Sequence, residues 1–379
     1  MVRRYGLSAV LCVGLLASCG GDGGGYRAGE DGGAAVDIVP GAAPMVSLLP
    51  DTLGDGWQTS APAAQGINSA ELSLRLNELL TGGSGGIDGI VIVRNDQLVA
   101  EAYFNGYARD TQHDMRSVTK SFSASVAGIA IERGVISLDD TLAQHIARFD
   151  SFGNMDARKR SIRIANVLNM QTGLDCDDGR DSSPGNESHM YQRDDWIKYI
   201  LGVPMQADPG TLTSYCSGAI TVLGSIIAAR TGQKFEDFAQ THLLAPLNMS
   251  PVRWLHSPLG VTNASSAIQL RPRDAAKFGT LFLNGGRWHG VQVVPQAWIE
   301  RSAERVTAIR GEGYGWLWWK SHYFVRGVTQ PGMYASGNGG NYIFVLPSER
   351  LVVVVTASNY NRNGPSQGFF RDSILPTLQ

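Results

Sequence analysis

What this 379-residue chain has little of narrows the field first. It carries only six lysines among its 32 basic residues, and its formal net charge is −2. There is no basic excess and no basic stripe, so a nucleic-acid partner is not expected, because phosphate binding needs positive charge to spare. No GxxxxGK[ST] phosphate loop occurs, and no zinc-like spacing of cysteine and histidine. The seven histidines are scattered and offer neither a Ser-His-Asp triad nor a metal site. Cysteine is scarce at four residues, and no internal repeat is visible. What remains is a chain with 43% apolar residues, long enough to bury a large core and to read as soluble and globular.

The N-terminal stretch "MVRRYGLSAVLCVGLLASC" has a basic start, Arg3 and Arg4, then an apolar run over residues 7–16 that is too short for a stable membrane span. It ends in "LASC", which resembles the lipobox of bacterial lipoproteins. That resemblance implies a signal peptide over residues 1–18, cleavage before Cys19 and lipid on Cys19. An ordinary secretory signal with an incidental Cys19 is the alternative, and in both cases the protein is exported. Residues 19–55 are glycine-rich at their start and read as a flexible tether. Gly20 stands where aspartate would retain a lipoprotein at the inner membrane, which points to the periplasmic face of the outer membrane. Membrane contact is expected through the lipid anchor only. Cys176 and Cys216 are then left in an oxidising compartment, either as a disulfide or as two buried thiols. A disulfide would close a loop of about 40 residues, worth roughly 3–4 kcal/mol by chain entropy.

"GIDGIVIVRNDQLVAEAYFNGY" predicts two strands around a polar turn at Asn95 and Asp96, and "NYIFVLPSERLVVVVTASNY" repeats that arrangement near the other end. Two hairpins so far apart in the chain can share one antiparallel sheet. Helical patterns fill the space between, over 117–133, 164–170, 194–201, 217–231, 234–244 and 272–284. The expected architecture is α+β: an antiparallel sheet flanked by helices and built from both termini (about 60–112 and 265–379), with a mainly helical lobe inserted (about 113–264). The folded domain is expected over 60–379.

Within "DMRSVTKSFSASVAGIAIERG", Lys120 follows Ser117 by three positions, and no other lysine in the chain follows a serine at that distance. Val118, Phe122, Val126 and Ile129 recur at helical spacing and Gly134 is a good stop, so Ser117 and Lys120 share a face of one helical turn. A serine hydroxyl is a weak nucleophile and needs a base within hydrogen-bond reach, which a desolvated lysine can supply. A helix N-terminus also favours developing negative charge. A capping serine beside a surface lysine would look the same.

Further segments decide between these readings. "SIRIANVLNMQTGLDCDD", "PGTLTSYCSGAITVLGSIIAARTGQKFEDFAQTHLLAPLNM" and "RPRDAAKFGTLFLNGG" follow the SxxK in that order. Together they resemble the serine β-lactamase and penicillin-binding superfamily, in particular its class C-like branch, which includes family VIII carboxylesterases and 6-aminohexanoate-dimer hydrolases. The resemblance covers about residues 60–379 and implies the β-lactamase/transpeptidase-like fold. "SVTK" matches the first family motif and implies Ser117 as nucleophile with Lys120 as its partner base. "YCS" matches Tyr-x-Asn and implies Tyr215 as a proton relay, since a phenol beside an amine can share its proton. The Lys/His-Thr-Gly motif falls on "ASGNGG", where Gly337 keeps the glycine and Gly339 follows. The resemblance assigns the oxyanion hole to the backbone N–H groups of Ser117 and Asn338.

The departures bear on substrate. Ala335 stands where a lysine or histidine is usual, and Ser217 where asparagine is usual. The missing cation would help hold a carboxylate, so penicillin hydrolysis is disfavoured and an ester or small amide substrate is expected. A β-lactamase, a D-alanyl-D-alanine carboxypeptidase, or a penicillin-binding module that acylates without turnover are the alternatives. Ser217, Gly337 and Gly339 are candidate substrate contacts, as are Tyr191 and Trp196 in a polar segment, with packing as the competing role for the two aromatics, and the aromatics of "GYGWLWWK" are read the same way. Ser84 in "GGSGG" satisfies GxSxG, but it sits between a helix and a strand and not on a strand-turn-helix elbow, so it reads as loop. No metal or organic cofactor is implied.

Overall fold

The computed structural model describes residues 42–379. The expected signal peptide and Cys19 lie outside them. Fourteen strands occur in this span. The first eight are β1 (Met45–Ser47), β2 (Gln58–Thr59), β3 (Ile87–Arg94), β4 (Gln97–Tyr103), β5 (His113–Asp114), β6 (Gln269–Leu270), β7 (Arg287–Trp288) and β8 (Val291–Gln292). The remaining six are β9 (Thr307–Ile309), β10 (Glu312–Gly315), β11 (Trp318–Val325), β12 (Val328–Gly337), β13 (Asn341–Leu346) and β14 (Leu351–Ala357).

One large sheet runs in the order β1-β4-β3-β14-β13-β12-β11-β10-β9, with β2 paired to β4. The two expected hairpins are β3–β4 and β13–β14, and β14 lies antiparallel beside β3 at the centre. Asn95 and Asp96 both take positive φ, 52° and 64°, which gives the tight turn the twist that the flanking strands need. The central strands are buried on both faces, and their side chains divide with period two. Val91, Val93, Val352 and Val354 enter one core; Ile90, Ile92, Val353 and Val355 enter the other. Each such side chain contributes roughly 1.5–3 kcal/mol when removed from water.

The second core is closed by Leu72 and Leu76 of the helix Ser69–Gly82 and by Phe370, Ile374 and Leu375 near the C-terminus. Helices of the chain's middle close the first. They include Thr119–Glu132, Ser217–Thr231 and Pro272–Leu281, which correspond to three of the expected helical patterns. The antiparallel sheet flanked by helices is the architecture that the sequence predicts. The folded domain begins earlier than expected, however. β1 pairs with β4, Asp51 binds Arg109 at 3.0 Å and Asp55 binds Arg273 at 3.0 Å, so residues 45–55 are not tether. Those ionic partners lie more than fifty residues away along the chain, and local composition carries no sign of them. Among the described residues no helix is long and apolar enough to cross a membrane.

Candidate active site

The nucleophile candidate sits on a strained turn. Residues Arg116–Val118 form a single 3-10 turn ahead of the helix Thr119–Glu132, and Arg116 takes φ 47°, a left-handed conformation that costs a non-glycine residue on the order of 1–3 kcal/mol. Surrounding bonds hold it there. Asp114 Oδ1 accepts the Arg116 N–H at 2.9 Å and its carboxylate pairs with Arg116 Nε at 3.1 Å. Thr119 Oγ1 accepts the Ile268 N–H at 3.0 Å. Ser117 is thereby presented partly exposed at the head of a helix whose residues are almost all buried.

Lys120 lies beneath it, 1% exposed. Its Nζ donates to Ser117 Oγ at 3.0 Å and to the Ser265 carbonyl at 2.9 Å. That carbonyl belongs to a loop fixed by Asn263, whose Oδ1 accepts Ser265 N–H at 3.0 Å, Ser265 Oγ at 2.7 Å and Ser266 N–H at 3.1 Å. Lys120 therefore has two neutral oxygens as partners and, among the described residues, no carboxylate at ion-pair distance. The third group comes from a distant segment. Lys120 Nζ is 4.9 Å from the centroid of the Tyr215 ring, which stacks on Trp319 with centroids 6.0 Å apart and meets Tyr314 edge-on.

The end of β12 abuts the serine turn. A methyl group at Gly337 would fall 2.1 Å from the Met115 carbonyl oxygen, so only glycine lets this strand come so close. Asn338 follows at once. Its side chain is taken up by Asn361, donating to Asn361 Oδ1 at 2.7 Å and accepting the Asn361 N–H at 2.8 Å. The backbone N–H groups of Ser117 and Asn338 have no acceptor among the described residues. Gly339 (φ 96°) and Gly340 (φ 94°) complete the turn into β13. Ala335, at the position where a cation is usual, is fully buried.

Other predicted residues have supporting places. Cys176 and Cys216 are joined as a disulfide. Ser217 is buried, its N–H donating to Asp178 Oδ2 at 2.7 Å. Trp196 is 3% exposed and packs edge-on against Tyr191. The expectation that Ser217 and Trp196 touch substrate does not fit this enclosure. Tyr191 is partly buried, donating to Glu187 Oε2 at 3.0 Å and accepting from Asn263 Nδ2 at 3.2 Å. In "GYGWLWWK", Trp316 and Trp318 are core, while Trp319 and the buried Tyr314 both meet the Tyr215 ring. Ser84 lies in a loop where its hydroxyl accepts from Asn105 Nδ2 at 2.8 Å, far from an elbow geometry. Asp178, Glu187, Asn263 and Ser265 escaped the sequence reading. The disulfide was the available signal for Asp178, because joining Cys176 to Cys216 brings residue 178 beside Tyr215.

Among the described residues no cluster of histidine, cysteine or acidic side chains is arranged to hold a metal ion. A surface cavity of about 420 Å³, lined by residues including Asp96, Arg287 and His289, shares no residue with this site.

Comparison with known proteins gives the family and the fold. Residues 76–373 match the family described as Beta-lactamase, and the chain belongs to that family of serine hydrolases. It is 26% identical over 242 residues to a 6-aminohexanoate-dimer hydrolase of Paenarthrobacter ureafaciens, covering 61% of this chain and 59% of the relative, less than two thirds of that protein's length. It is 22% identical to penicillin-binding protein 4 of Amycolatopsis lactamdurans, covering 71% of this chain and 77% of the relative. A solved family VIII carboxylesterase shares the fold, with a TM-score of 0.63 and 16% identity over 80% of this chain and 96% of that one.

Proposed function

We propose that this protein is an exported, lipid-anchored serine hydrolase that cleaves an ester or small amide through an acyl-enzyme. The observation that carries the reading is the buried Lys120 amine 3.0 Å from Ser117 Oγ, with the Tyr215 ring against the same amine. Ser117 Oγ attacks the substrate carbonyl while its proton passes to Lys120, and Tyr215 relays a proton to the leaving group. The carbonyl oxygen, negative in the tetrahedral intermediate, is received by the N–H groups of Ser117 and Asn338, which are otherwise unused. Water then attacks the acyl-serine and the same groups return the proton.

The substrate preference is supported by Ala335. A substrate carboxylate finds no lysine or histidine on β12. The hydrolase and carboxylesterase likenesses agree with an ester or amide; the penicillin-binding likeness supports the β-lactam or D-alanyl peptide alternative. Export and attachment through Cys19, at the periplasmic face of the outer membrane, rest on the N-terminal sequence. The decisive experiment is Ser117→Ala. It is expected to abolish covalent labelling by a fluorophosphonate and hydrolysis of p-nitrophenyl esters while the protein stays folded; a labelled, active Ser117→Ala protein overturns the proposal. Turnover of nitrocefin faster than of short esters would favour the β-lactamase alternative.

A further inference from the structure

Four consecutive residues around Tyr215 are tied to one short stretch of chain. Ser214 Oγ donates to the Cys176 carbonyl at 2.6 Å, and Asp178 N–H donates to the Tyr215 carbonyl at 2.8 Å. Cys216 is bonded to Cys176, and Ser217 N–H donates to Asp178 Oδ2 at 2.7 Å. Asp178 thus grips Tyr215 from both sides, through its own backbone and through its side chain. Its second oxygen, Oδ1, accepts the Glu187 N–H at 2.9 Å. None of these contacts is used in the acyl transfer described above.

We infer that Asp178 is a positioning residue for this reaction: by holding the Tyr215 carbonyl and the Ser217 N–H it fixes Tyr215 against Lys120. The inference rests on the acyl-enzyme reading. A carboxylate that accepts two backbone N–H bonds is ordinarily driven to lower pKa. Here burial, and next the Glu187 carboxylate, push Asp178 up to about 7, against the opposing pull of the Lys120 ammonium and of hydrogen bonds from the Ser217 hydroxyl and N–H. The charged groups that bear on it are Glu187, from the short helix Glu187–Tyr191, and Lys120, from the nucleophile helix. The Tyr191 hydroxyl, donating to Glu187 Oε2 at 3.0 Å, holds the first of these in place.

The sign follows from the charges. Below neutral pH Asp178 is uncharged; as pH rises through neutrality it becomes negative, and a negative neighbour opposes proton release from an ammonium. The pH dependence of catalysis near neutrality is therefore expected to carry the titration of Asp178.

The test is kcat and KM for a p-nitrophenyl ester from about pH 5 to 9 in the full chain, for wild type, Asp178→Asn and Glu187→Gln. Asp178→Asn is expected to lower kcat roughly 10- to 100-fold, with KM within about threefold, and to remove the inflection near neutrality. Glu187→Gln keeps the backbone N–H and an acceptor for Tyr191, but removes the negative charge, so the inflection is expected to move to lower pH. Fluorophosphonate labelling reports that Ser117 is intact in each variant. If Asp178→Asn fails to fold, Glu187→Gln decides the question. An inflection that stays in place in Glu187→Gln, or a wild-type kcat and profile in folded Asp178→Asn, overturns the role of Asp178. Labelling that survives Ser117→Ala overturns the acyl-enzyme reading instead.

Discussion

Two lysines in this molecule have the same local geometry and opposite surroundings. Lys120 and Lys277 are both buried, each at the first turns of a buried helix and each bonded to the residue three positions before it. Lys277 Nζ meets Asp274 Oδ1 at 2.8 Å and the Asn248 carbonyl, and Asp274 is further held by Arg271 at 3.0 Å and by the Ser250 N–H at 3.2 Å. Lys120 meets a hydroxyl and a carbonyl, both neutral. The difference is instructive. A buried lysine matched by a carboxylate ties segments of the core together; a buried lysine that donates to a serine hydroxyl stands where that hydroxyl's base would have to be. Lys159, bonded to the carbonyls of Gly153 and Leu201, shows that neutral partners alone do not make a site. What distinguishes Lys120 is a partly exposed serine as one of those partners.

The comparison can be broken by exchanging the partners. Ser117→Asp gives Lys120 the environment of Lys277 and is expected to eliminate covalent labelling and turnover while thermal stability holds or rises, measured by labelling and a melting curve. Next in size, Lys120→Met is expected to lower kcat by roughly 10²–10⁴-fold, the range of a general base, with little loss of stability. Lys277→Met should do the reverse. It leaves Asp274 buried with Arg271 as its remaining counter-charge, so denaturant unfolding is expected to show a loss of about 3 kcal/mol while kcat of the folded fraction is kept.

Smaller effects sharpen the contrast between the site and its rim. Gly337→Ala forces β12 away from the Met115 carbonyl, with an expected loss of about 1–3 kcal/mol. Because Asn338 moves with it, kcat is expected to fall as well, on the order of 100-fold for a displacement of about 1 Å. At the far end of the scale, Ser84→Ala removes one acceptor of Asn105, which still donates to the Ile87 carbonyl at 3.0 Å and Asp88 Oδ1 at 2.9 Å. Stability within about 1 kcal/mol of wild type and unchanged ester hydrolysis are expected. A dead Ser84→Ala enzyme would move the nucleophile to the GxSxG and end the comparison.

By itself the sequence determined what depends on local periodicity and on spacing within one element. The alternating β-branched residues of β3 and β14 and the Asn95-Asp96 turn specify hairpins, and the three-residue interval from Ser117 to Lys120 places both on one helical face. The sequence also allowed the two hairpins to share one antiparallel sheet, and β14 does lie beside β3. Only the tertiary structure decided the rest. That Lys120 is enclosed by Ser265, that Ala335 is fully buried, that Asp51 and Asp55 anchor residues 45–55, and that Asp178 grips Tyr215 all depend on contacts between segments tens to hundreds of residues apart. Such contacts are set by how buried faces pack and by which polar groups must find partners once water is excluded, and nothing in the neighbouring sequence records them.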